Sequence, residues 1–149
     1  MLEELIRWLE NDGGSYFLKP DCRDGEQFSD YVQSLRLAKA KFGEPIGNGR
    51  HRVVFRDGEF VLKVPFRASG IDANFYEDNT HSNNPHEPRA SCSLDSELAE
   101  ELGSSCVLRM EYVEHVGSSP TPDWTWSVDC GQVGRTKDGR IVAYDWERM

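Results

Sequence analysis

Two glycines and a lysine set the first chemical possibility. Gly47-Asn48-Gly49 precedes two runs, Arg50-His51-Arg52-Val53-Val54-Phe55 and Phe60-Val61-Leu62-Lys63-Val64, that flank Asp57-Gly58, the pattern of a β-hairpin with a tight turn. Glycines let a backbone approach phosphate oxygens closely, and a lysine on the adjacent strand neutralises their charge. Alternation places Phe60, Leu62 and Val64 on one face and Val61 and Lys63 on the other, so Lys63 is a cation in an apolar strand. Other reactive types offer less. His81 and His86 lie in a polar loop without a ligand pattern, and Cys130 beside Asp129 has no adjacent cation or histidine to lower its pKa.

The order of glycine pair, hairpin and lysine resembles the glycine-rich loop and third-strand lysine of protein kinases. Later residues extend the resemblance over about residues 43 to 147. It implies that Glu77, on the helical segment after Lys63, is the ion-pair partner of that lysine. It implies that Met110-Glu111-Tyr112-Val113 is the hinge strand that receives an adenine ring, with Glu111 and Val113 in the binding positions. Gln132 and Asp145, which bracket the last hairpin, take the places of the metal-binding Asn of the catalytic loop and the Asp of the DFG motif. Asp145-Trp146-Glu147 is similar to the variant in aminoglycoside-phosphotransferase-like relatives. Val61 to Pro65, Gly131 to Gly134 and Ala143 to Trp146 are similar to short kinase-like proteins of tailed bacteriophages. The cofactors implied are ATP and Mg²⁺, with Gly47, Gly49, Lys63, Glu77, Glu111 and Val113 around the nucleotide and Asp145 and Gln132 on the metal.

The departures point the other way. A kinase catalytic loop carries its base Asp five residues before the metal Asn, and Ser127 holds that position, leaving Asp129 or Asp123 as stand-in bases without the family spacing. Gln132 replaces the Asn, and its extra methylene would displace the ligating oxygen by more than about an ångström in an unchanged backbone. Only 18 residues, His115 to Gln132, separate the hinge strand from the metal position, and four follow Asp145. The expectation is a kinase N-lobe with its C-lobe largely absent and no activation segment to hold a peptide, which weakens the second shell that precise phosphoryl transfer requires.

The elements that must position these residues can be read from periodicity. Leu2, Leu5, Ile6 and Leu9 predict a helix over 2–10, and Phe28, Tyr31, Val32, Leu35 and Ala38 predict a second that ends near Gly43. Residues 1–42 are read as an N-terminal helical cap and 43–149 as a sheet with a C-terminal hairpin, together one domain of α+β class. After the first hairpin come a helical segment around Ile71, Phe75 and Tyr76, a polar loop at Asn79 to Pro85, a strand near Arg89 to Leu94, and an acidic helix from Asp95 to Leu102. A strand over Cys106 to Val113 follows. The last hairpin joins Gln132 to Thr136 with Arg140 to Tyr144 through Lys137-Asp138-Gly139.

The bulk numbers exclude several classes. A chain of 149 residues buries one real core. Its 17 basic against 26 acidic residues give a net charge of -9, which argues against direct nucleic-acid binding because phosphate attraction needs clustered Lys and Arg. The four cysteines form no CxxC pair, no apolar run reaches the roughly 18 residues of a membrane helix, and the expected location is a cytoplasm. Glu97, Glu100 and Glu101 read as a solvated helix face. The leading functional expectation is a degenerate kinase-like protein that binds a partner protein with a basic surface, a host factor if the phage resemblance holds. The alternatives are a small active phosphotransferase or ATP-binding protein, and an acidic mimic that blocks a nucleic-acid-binding protein.

Overall fold

The computed structural model describes residues 2–10, 28–80, 88–116 and 133–144. Apolar residues at helical spacing form its first layer. In α1 (Leu2–Trp8), Leu2 and Ile6 turn inward, with Leu9 just beyond the helix. In α2 (Phe28–Phe42), Tyr31, Val32, Leu35 and Ala38 do the same, leaving Glu3, Glu4 and Arg7 of the first helix and Asp30, Arg36 and Lys41 of the second on the outer stripes.

Three strands follow, β1 (Gly47–Asn48), β2 (Arg52–Asp57) and β3 (Phe60–Pro65), then α3 (Ala68–Thr80), β4 (Cys92–Leu94), α4 (Ser96–Leu102) and β5 (Leu108–Glu111). The strands make one antiparallel sheet in the order β1-β2-β3-β5-β4. The predicted hairpin is present, with Asp57 paired to Phe60 so that the turn residues are Gly58 and Glu59. Gly58 takes φ +60°, the left-handed conformation that two-residue hairpin turns require.

Period two then separates the faces of the sheet. Val53, Phe55, Leu62 and Val64 point to the helices and share a core with Leu35, Ala38, Leu98 and Leu102, where full burial of a residue such as Phe55 contributes roughly 1.5–3 kcal/mol. Val61, Leu108 and Met110 lie on the opposite face with Val54 packed beside them. The acidic helix begins one residue later than predicted, because Asp95 is its N-cap and accepts the Leu98 N–H at 3.0 Å.

The strand predicted over Cys106 to Val113 is shorter than that span. Leu108–Glu111 belongs to the first sheet, and after Tyr112 and Val113 the chain enters β6 (Glu114–His115), which pairs with β7 (Val133–Arg135), itself paired with β8 (Ile141–Ala143). The last hairpin therefore sits in a three-stranded antiparallel sheet, β6-β7-β8. The segment before β4 ties the sheets together, since Ala90 N–H donates to Ala143 C=O at 2.8 Å and Ala143 N–H to Pro88 C=O at 2.9 Å. Among the described residues no helix is long and apolar enough to cross a membrane.

One close approach fixes α3 against the glycine turn. A Cβ on Gly70 would lie 2.3 Å from the His51 carbonyl oxygen and 2.9 Å from Pro65 Cβ, whereas one on Gly49 would meet nothing within 4 Å. Gly70→Ala would gain up to about 1 kcal/mol in helix propensity, but the backbone clash outweighs it. We expect a net loss of about 1–3 kcal/mol in urea unfolding for Gly70→Ala and a change within about 0.5 kcal/mol for Gly49→Ala.

Candidate functional site

The sheet brings two cations to one place by simple register. Val54 pairs with Lys63 and Arg52 with Pro65, so Arg52 and Lys63 are diagonal neighbours on the same face. α3 lies across that face, and its Asn74 and Glu77, one turn apart, both point at the strands. Lys63 Nζ donates to Glu77 Oε1 at 3.1 Å and Oε2 at 3.0 Å. Arg52 donates to Glu77 Oε1 at 3.1 Å and to Asn74 Oδ1 at 3.0 Å. Asn74 in turn donates to the carbonyls of Lys63 and Cys106 at 3.0 and 3.3 Å.

All four side chains are buried; Lys63 and Glu77 are only 3% and 5% exposed. Burial alone would push the Glu77 carboxyl up, but the charges of Lys63 and Arg52 and the hydrogen bonds from both prevail and hold it below its ordinary value of 4.5. Cys92 lies against the same cluster, its thiol bonded to the Glu77 carbonyl at 3.5 Å. Burial, reinforced by the Glu77 charge, pushes that thiol up to about 12, which makes it an inert group.

In front of Lys63 is a cavity of about 480 Å³, within the range that small-molecule sites occupy. The Gly47–Gly49 turn lines its lip, Val54, Val61 and Met110 supply apolar lining, and Val113, His115 and Tyr144 line it as well. A Cβ on Gly47 or Gly49 would meet no atom, and neither residue has a positive φ. Their lack of side chains is therefore not demanded by the chain's own packing. It leaves the lip of the cavity open.

The structure thus brings together Gly47, Gly49, Lys63 and Val113 at one cavity, with Glu77 directly behind the lysine. Glu111 ends β5 between Met110 and Tyr112, which line the cavity. Its carboxylate accepts from Arg140 at 2.8 Å and from the Ser91 N–H, so it faces away from the cavity and clips β5 to the last hairpin. Asp129, Gln132 and Asp145 lie outside the described residues, as do Ser127, Asp123, His81, His86, Cys22 and Cys130. Among the described residues no group of three metal-ligating side chains converges. Glu97, Glu100 and Glu101 are exposed as expected, and Glu101 accepts from Lys41.

Four contributors were not foreseen: Arg52, Asn74, His115 and Tyr144. Arg52 had a signal, since it stands as a cation beside the apolar run Val53-Val54-Phe55 just as Lys63 stands in its own strand. Tyr144 holds the cluster from the far sheet, its carbonyl accepting from Lys63 Nζ at 2.7 Å.

Removing the shared carboxylate takes a counter-charge from two buried cations, and we expect Glu77→Gln to cost about 3–5 kcal/mol at neutral pH. The folded-state pKa of Glu77 is depressed, so its contribution is complete above the ordinary value of 4.5 and drains away as pH falls below it. Denaturant titrations from pH 7 to pH 3 should therefore show the gap between wild type and variant narrowing on the acid side. A gap that is small at neutral pH, or constant with pH, would contradict this assignment.

Comparison with protein-family models, with curated proteins and with solved structures found no match to this chain.

Proposed function

We propose that this chain is a kinase-like scaffold whose cavity binds a nucleotide, with the phosphates at the glycine turn and Lys63 and the base against the apolar wall. The observation that carries the reading is the buried Lys63–Glu77 pair at the back of a cavity whose lip is Gly47-Asn48-Gly49. A third-strand lysine held by a carboxylate on the following helix is the arrangement that positions nucleotide phosphates in protein kinases. The α+β architecture supports the same reading, since β1 to β5 and α3 supply each part in the order that a kinase N-lobe requires.

Binding is the use we assign, in preference to phosphoryl transfer. Ser127 at the position of the base cannot accept a proton at neutral pH as a carboxylate does, and Gln132 is a longer ligand than the Asn it replaces. Mg²⁺ on Asp145 and Gln132 would accompany the nucleotide under this reading. A second use is favoured by the net charge of -9 and by the exposed Glu97 and Glu100: docking to a partner protein with a basic surface, a host factor if the phage resemblance holds. That association would weaken steeply with salt.

The experiment is a thermal shift with ATP and Mg²⁺. A ligand that binds only the folded state at about 100 times its Kd adds about 2.7 kcal/mol, or about 5–10 °C for a domain of this size. We expect such a rise for the wild type and its loss in Gly47→Val, which places a branched side chain at the lip of the cavity with a Cβ that meets no other atom within 4 Å. No shift at millimolar nucleotide would overturn the proposal.

A further inference from the structure

Lys63 has few donors left for a phosphate. An ammonium carries three N–H groups, and three acceptors already meet it, Glu77 Oε1, Glu77 Oε2 and the Tyr144 carbonyl. It supplies charge at the back of the cavity, while hydrogen bonds to phosphate oxygens need donors from elsewhere. Arg50 has them. It follows Gly49, which lines the lip of the cavity, and it is exposed. Arg52, Arg109 and Arg140 each meet a carboxylate, whereas among the described residues no hydrogen bond, ion pair or ring contact engages Arg50.

The turn that carries Arg50 is firmly mounted. Gly49 N–H donates to the Arg52 carbonyl at 2.9 Å and Phe66 N–H to the His51 carbonyl at 3.0 Å, and the start of α3 lies against that same His51 carbonyl at Gly70. The backbone on either side of Arg50 is therefore held while its side chain is not. Strand register then gives the order of groups along the cavity. Val61 lies opposite Arg56, Lys63 opposite Val54, and Pro65 opposite Arg52, with the turn beyond. A ligand with its base at Val61 and its first phosphates at Lys63 runs toward Arg50 with its last.

We infer that Arg50 is a specificity-determining residue, which binds the terminal phosphate of a polyphosphate seated at the glycine lip and so selects polyphosphates over monophosphates. A guanidinium suits that task because its planar fork of N–H donors pairs with phosphate oxygens. The direction of the ligand rests on the nucleotide reading above, so the experiment separates the two. Isothermal titration with ATP, AMP and inorganic tripolyphosphate compares wild type, Arg50→Gln, Arg50→Lys and Arg7→Gln. The last removes the same charge from an exposed residue of α1, in the helix layer across the sheet from the cavity.

Loss of a hydrogen-bonded contact to a charged group predicts about a tenfold fall in affinity for ATP and for tripolyphosphate in Arg50→Gln. AMP affinity should stay within about twofold, the scale of an ordinary surface substitution. Arg50→Lys keeps the charge and should recover part of the loss, and Arg7→Gln should bind as the wild type does. An unchanged ATP affinity in Arg50→Gln overturns the assignment, as does an equal fall for ATP and AMP or an equal fall in Arg7→Gln. Tripolyphosphate binding that depends on Arg50, with ATP bound no more tightly than tripolyphosphate, upholds Arg50 as the anion contact and overturns the nucleotide reading alone. ATP bound more tightly than tripolyphosphate, with no effect of Arg50→Gln on either, upholds the nucleotide reading and overturns the role of Arg50.

Discussion

The carboxylate of Glu77 is the constraint around which the rest of the structure is arranged. Ionised groups taken out of water cost several kcal/mol each unless a partner meets them at hydrogen-bond distance, and here Lys63 and Arg52 both find that partner in one side chain. The requirement sets the height of α3 above the sheet more tightly than apolar contact could. Ile71 is the helix's contribution to the main core, while Phe75 is 45% exposed, so the helix is keyed to the strands largely through Asn74 and Glu77. Gly70 completes the fit, because the helix start lies against the backbone at His51.

The same cluster adds a polar link between two sheets that also share backbone bonds at Ala143 and an apolar cluster around Val142. The chain leaves the first sheet after Glu111 and joins the second at Glu114, and the cavity occupies the space beside that crossing. Lys63 reaches across it to Tyr144, and on the outer side Arg140 reaches back to Glu111. The inner contact is part-buried and the outer one exposed, so the inner one carries more of the positional precision. A cavity that sets a buried cation beside apolar strand side chains joins the two kinds of contact on which the proposed function rests.

Much of this scaffold was legible in the sequence because its signals are local. Alternation and Asp57-Gly58 gave the hairpin, Lys137-Asp138-Gly139 gave the last one, and Asp95 with its apolar followers gave the short acidic helix. The strand over Cys106 to Val113 was read too long for an equally physical reason. Tyr112 and Val113 continue a strand-like run, and no turn residue announces that the chain is changing sheets. The pairing of Lys63 with Glu77 followed from the resemblance to kinases, not from periodicity. Arg52 and Asn74 went unnoticed because burial of a polar group is decided by a partner distant in sequence, 25 residues away for Arg52 and Glu77. The Glu111–Arg140 pair was not legible for the same reason, since Arg140 lies 29 residues further on.

If Glu77 is the shared anchor, its energetic coupling to Lys63 should be large, and a double-mutant cycle measures that coupling directly. Lys63→Met, Glu77→Gln and the combined variant would be compared with the wild type by urea unfolding at pH 7. The account predicts that the double variant is more stable than the sum of the single losses implies, by about 2 kcal/mol or more, because each single change removes a charge that the other buried side chain faces directly. Losses that add to within about 0.5 kcal/mol would mean that the two side chains do not depend on each other, and would contradict the account.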